Sequence, residues 1–235
     1  MIDPGHEHLQ EEASRTDPAI LPSLGRLLRG LTCLFWGLPL VLVAAVQGAK
    51  AEPARLVHLW SALAGFGLVL RGTHLLSRFQ PRERVWQSSV DKARMVALIN
   101  LGLCPFIYWW NRHPSEVFFE VMADLLGLGF LFFLLEMNPV LDRLVAMLPD
   151  ETLRLETRFF TRVSRLLLAP VLGMTLFYLL LLRFEPSFPV LTGWLSFMSE
   201  GGLWVILFLV LLPLAMTMAL LWKIKEVIFQ SVFGR

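Results

Sequence analysis

The sequence predicts an all-α, polytopic membrane protein: a bundle of six transmembrane helices with short loops and a cytoplasmic amphipathic helix. Hydrophobic residues make up 56% of the 235 positions and charged residues 17%, with a mean hydropathy of +0.62, outside the range of soluble globular chains. Six runs, about 31–49, 56–76, 95–110, 115–135, 166–183 and 203–222, are apolar enough to cross a ~30 Å hydrocarbon core, which takes ~20 helical residues. The basic residues then fall on alternate connections. Of 21 Lys and Arg, only Lys50, Arg55, Arg112 and Arg183 lie on one side, so the positive-inside rule places both termini in the cytoplasm of an inner membrane. The chain has room for one transmembrane domain, residues 25–228, flanked by a polar tail at 1–24 and a short cytoplasmic C-terminus at 229–235.

The tail, MIDPGHEHLQEEASRTDPAI, is acidic and contains proline, which suits a solvated segment. His6 and His8 lack the further ligands that a metal site needs, so no metal is expected. After the first run, Ala49-x-Ala51 resembles a signal-peptidase site. The run is longer than an ordinary signal core and follows an acidic stretch, so it is expected to remain as a span. Cys33 and Cys104 both lie inside apolar runs, with no CxxC pair and no disulfide pattern.

The second run carries Ser61-x-x-x-Gly65, and the fourth carries Ala123-x-x-x-Gly127 at a similar depth. Such small-residue pairs let parallel helices approach closely, and a contact between these two spans is expected. The third run is the shortest and ends in Tyr108-Trp109-Trp110. These aromatics, with Trp60, Trp194 and Trp204, mark the outer interface, and Trp86 and Trp222 mark the inner one. Pro39, Pro105, Pro170 and Pro213 fall in four of the runs, where membrane helices tolerate them.

The fourth run, VFFEVMADLLGLGFLFFLLE, raises the main functional question. Glu116, Glu120 and Asp124 recur every four residues and so share one helix face, with Asp124 near the bilayer centre. A carboxylate there is costly against lipid and must look into the bundle or into a wet cavity. Asn100 on the third run and Arg71 at the inner end of the second are its possible polar partners, although Arg71 can also reach the cytoplasmic headgroups. Two readings follow. The acidic face either fixes helix register through hydrogen bonds or relays protons from the outer side. No matching acidic or histidine residue continues the path inward, and Glu136, at the inner end of the run, is distant.

Between the fourth and fifth runs, residues 138–165 form the largest cytoplasmic piece. Its segment PDETLRLETRFFTRVSRLL places Arg154, Arg158, Arg162 and Arg165 at helical spacing, with Leu155, Phe159, Val163 and Leu166 one residue on. Basic and apolar stripes therefore adjoin, and Asp150 and Glu151 suit a helix start. The expected role is an amphipathic helix on anionic headgroups before the fifth span, or the docking of an acidic partner. The connection FEPSFPVLTGWLSFMSEGG is expected to lie along the outer surface.

His58 and His113 could in principle pair around a haem, but interfacial histidines in ordinary roles fit better, and no cofactor is expected. Gly65-x-Gly67 lies inside a span and is no phosphate loop, and no P-loop, H-E-x-x-H or G-x-S-x-G motif occurs. The expected function is therefore a non-catalytic subunit, scaffold or assembly factor of a membrane complex. It would contact the bilayer, anionic headgroups and other membrane subunits, and no nucleic acid. The alternative is a small transporter or proton-coupled channel using Glu120 and Asp124.

Overall fold

The computed structural model describes residues 20–48, 55–80, 83–148, 150–183 and 203–233. The acidic tail through residue 19, the segment 184–202 expected along the outer surface, and the side chains of His58, Trp194 and Trp204 lie outside the described residues. Seven helices are described: α1 (Ile20–Gly48), α2 (Arg55–Ser77), α3 (Arg84–Leu103), α4 (Pro105–Arg112), α5 (Val117–Ala146), α6 (Glu151–Arg183) and α7 (Leu203–Phe233). Helices α3 and α4 together make one crossing, so six are long and apolar enough to span a membrane.

Apolar periodicity sets which face each helix buries. On α1 the fully or nearly buried positions are Leu27, Leu31, Leu34, Leu38 and Val41, the alternating three- and four-residue spacing of one stripe. Helix α6 buries Leu153, Thr157, Thr161, Ser164 and Leu168 with the same rhythm. Neighbours in sequence pack as neighbours in space, α7 closes against α1, and α5 also touches α7. The result is a closed up-and-down ring of helices, the arrangement that short connections impose.

Glycine decides the tightest contact, between α1 and α2. A Cβ on Gly37 would lie 3.1 Å from the Gly65 carbonyl oxygen, and one on Gly72 would lie 2.9 Å from that of Gly30. Gly30 and Gly37 are seven residues apart on α1, as are Gly65 and Gly72 on α2, so in antiparallel register the pairs meet twice. Only residues without a Cβ permit this approach.

Of the four prolines in the apolar runs, Pro105 alone separates two helices. It cannot donate to the carbonyl one turn back, so α3 stops at Leu103, with the Cys104 amide still donating to Asn100 (3.0 Å), and α4 restarts with proline in its first turn. Pro39, Pro139, Pro170 and Pro213 lie inside continuous helices. The third crossing is therefore not short: with its polar start at Arg84 it reaches Arg112. Trp86, read as an interfacial marker, is fully buried, its ring edge-on to Phe79. Nearby, the Gln87 side chain donates to the Ser77 and Gln80 carbonyls and ties the α2–α3 turn shut.

Two boundaries differ from the sequence expectation. Helix α1 begins at Ile20, inside the segment read as tail. Helix α6 runs for 33 residues, about 50 Å at ~1.5 Å per residue, so the amphipathic stretch 151–165 is the first half of the same helix that carries the fifth run. Asp150 starts it: its carboxylate accepts from the Thr152 and Leu153 amides and from the Thr152 hydroxyl.

Candidate functional site: the acidic groove between α5 and α6

The acidic stripe begins where α5 begins. Glu116 flanks the first turn with extended backbone, and its carbonyl accepts from the Phe119 amide (3.1 Å). Both Glu116 and Glu120 are exposed at this helix N-terminus, where the macrodipole favours negative charge. Asp124, one turn further in, is half-buried. Glu120 and Asp124 form one wall of a groove of ≈ 410 Å³ together with Val121 and Leu128, and Leu176, Leu179 and Leu180 of α6 form the other.

The two expected partners of Asp124 lie in other surroundings. Arg71 lines a different cleft, with Arg26, Arg29 and Lys225. Asn100 is 1% exposed and lies against Gly129, where its carboxamide oxygen occupies the space a Cβ would need. Gly129 is five residues beyond Asp124, about 140° around the helix at ~100° per residue, so Asn100 and Asp124 look to different neighbours. The Asn100 oxygen has no hydrogen-bond partner among the described residues.

The small-residue contact between α2 and α5 is likewise not formed. Gly65 is committed to α1, where a Cβ would lie 2.9 Å from the Val41 amide, and Gly127 has no heavy atom near its Cβ position. Ala123 and Gly127 instead border a small void of ≈ 130 Å³ with Val41, Phe66 and Trp110, and Ser61 is half-buried on α2. The glycine heptads on α1 and α2 explain the outcome: two antiparallel helices joined by a short connection satisfied each other first. Helices α2 and α5 still meet through the edge-to-face rings of Phe66 and Phe130.

No family model, curated protein or solved structure matches this chain. Among the described residues no group of His, Cys, Asp and Glu could hold a metal ion. Along α5 after Asp124 come half-buried Glu136, about 18 Å further at ~1.5 Å per residue, and buried Asn138, with Leu131 and Leu134 before them. Asn138 turns its amide back onto the Leu134 carbonyl (3.1 Å). Among the described residues the groove sets the Glu120 and Asp124 carboxylates in a leucine wall.

The basic stripe of α6 divides by use. Arg154 donates to the Ala146 and Leu148 carbonyls (both 3.3 Å) and so closes the C-terminal end of α5. Arg165 pairs with Asp142 at 2.9 Å, and the Thr161 hydroxyl donates to the same carboxylate at 2.8 Å. Glu156 on α6 is joined to Lys223 on α7. Arg158 and Arg162 are exposed, beside Leu155, Phe159 and Leu166 at 68%, 65% and 71% exposure. Two of the four arginines thus fasten helices, and two remain on the surface with the apolar stripe.

Sequence reading found the acidic stripe and missed Asp142 as its counterpart near the other end of α5. The signal was available: Asp142 and Arg165 each sit at the edge of an apolar run, on helices joined by a short turn.

Proposed function

We propose that the chain is a non-catalytic subunit, scaffold or assembly factor of a membrane complex, with both termini cytoplasmic. In this reading the α5–α6 groove receives a transmembrane segment of a partner. The observation that carries it is the groove itself: among the described residues, Glu120 and Asp124 stand on an otherwise aliphatic wall that faces Leu176, Leu179 and Leu180 of α6. A polar or basic side chain on an incoming helix would meet the exposed Glu120 at this wall. Intramembrane hydrogen bonds of this kind contribute about 0.6–2 kcal/mol and add specificity to packing.

Asp124→Asn separates docking from proton transfer. It keeps shape and hydrogen-bonding capacity and removes the exchangeable proton. Docking is expected to survive the change, with complementation of a deletion strain close to wild type, while Asp124→Leu loses it. Abolition of function by Asp124→Asn in a normally expressed, folded protein would favour the transporter reading instead.

A further inference from the structure

A cluster of basic side chains lies away from the acidic groove. Arg26 and Arg29 of α1, Arg71 of α2 and Lys225 of α7 converge on a cleft of ≈ 550 Å³ where three helices end on the same side. The register is built into the packing. Gly30 on Gly72 brings the adjacent Arg29 and Arg71 to one level. The ring contact of Phe35 with Trp222 (5.6 Å between centroids) fixes α7 against α1, and Lys225 lies 5.5 Å over the same Trp222 ring.

No carboxylate lines the cleft among the described residues. Glu226, the nearest in sequence, is exposed and accepts from Gln230 on its own helix (3.5 Å). Arg26 uses its Nε on the Pro22 carbonyl (3.2 Å), and the Thr32 hydroxyl is spent on the Leu28 carbonyl (2.8 Å). Four cations thus share a space whose remaining walls are aliphatic and aromatic, including Leu28, Leu75 and Phe229. Like charges held together repel unless an anion sits between them, and guanidinium groups match phosphate oxygens with paired hydrogen bonds.

We propose that this cleft is a binding site for an anionic phospholipid, its phosphate between Arg29 and Arg71 and its acyl chains along Leu28, Leu75 and Phe229. The apolar walls decide for lipid over a free phosphate, which gains nothing from them. All four cations also fall within the helix stretches apolar enough to span a membrane, near their ends, where headgroups lie. The site is independent of the groove between α5 and α6 and of what docks there.

Native mass spectrometry of the full chain in detergent, offered equal phosphatidylglycerol and phosphatidylcholine, tests the proposal. The wild type is expected to retain phosphatidylglycerol at least ~10-fold over phosphatidylcholine, and Arg29→Gln/Arg71→Gln to bring the two near parity. Arg158→Gln/Arg162→Gln, on exposed positions of α6, should leave the preference unchanged. Should the Arg29/Arg71 variant fail to elute as a folded species, Arg26→Gln and Lys225→Gln singly carry the test, each with an expected loss of about fivefold. Full retention by the cleft variants, equal loss in the α6 control, or displacement of the lipid by millimolar inorganic phosphate would each overturn the assignment.

Discussion

Gly37 and Gly65 face each other across the α1–α2 interface so closely that a Cβ on Gly37 would meet the Gly65 carbonyl oxygen at 3.1 Å and the Val69 amide at the same distance. Gly67, two residues on, has no heavy atom within 4 Å of its Cβ position. The pair makes a matched experiment. Gly65→Ala is expected to lower stability by about 1–3 kcal/mol, because the opposing atoms are backbone and cannot turn aside. Gly67→Ala should be neutral or slightly stabilising, as alanine is the better helix former. Thermal unfolding in one detergent, followed by circular dichroism, reads both.

The start of α6 depends on an ionised side chain. Hydrogen bonds from the Thr152 hydroxyl and the Leu153 and Thr152 amides hold the Asp150 carboxyl below its ordinary pKa. A carboxyl whose pKa is lower folded than unfolded contributes stability that is fully present above the unfolded value and is lost as pH falls through the folded one. Melting temperature should therefore drop on acidification below about pH 4. Asp150→Asn should remove this residue's share of that dependence while keeping a capping side chain.

Topology follows from charge distribution and has its own test. In a chain lacking Cys33 and Cys104, a cysteine at exposed Ser115 should react with an impermeant thiol reagent from outside, and cysteines at exposed Ser88 and Arg158 should not. Reaction of all three from one side would end the reading with both termini cytoplasmic. Thr157, beside Arg158, is buried and makes a poor reporter.

How much of this was legible in the sequence varies with the range of the interaction. Apolar run length marked the six helices long and apolar enough to span a membrane, and four-residue spacing put Glu120 and Asp124 on one wall of a groove, whereas Glu116 precedes α5 with extended backbone and lies off that wall. Pairing of helices was not legible from Ser61-x-x-x-Gly65. Small residues occur on several faces, and it took the coincidence of two heptads, Gly30 with Gly37 and Gly65 with Gly72, to show which face α2 spends on α1. The extent of α6 was misjudged because charge at Arg158 and Arg162 reads as a boundary of the membrane, whereas nothing about charge ends a helix. The basic cleft was invisible for another reason: Arg29, Arg71 and Lys225 come from three segments far apart in the chain, and only the fold brings them together.

The central claim is that the groove between Glu120 and Asp124 on α5 and Leu176, Leu179 and Leu180 on α6 is occupied by a partner's helix. Native gel electrophoresis of mildly solubilised membranes measures it, comparing Leu179→Trp, which fills the groove, with Leu212→Trp on an exposed face of α7. The expected result is that Leu179→Trp runs as the isolated chain and Leu212→Trp runs with the wild-type assembly. An assembly of unchanged size in folded Leu179→Trp would contradict the claim.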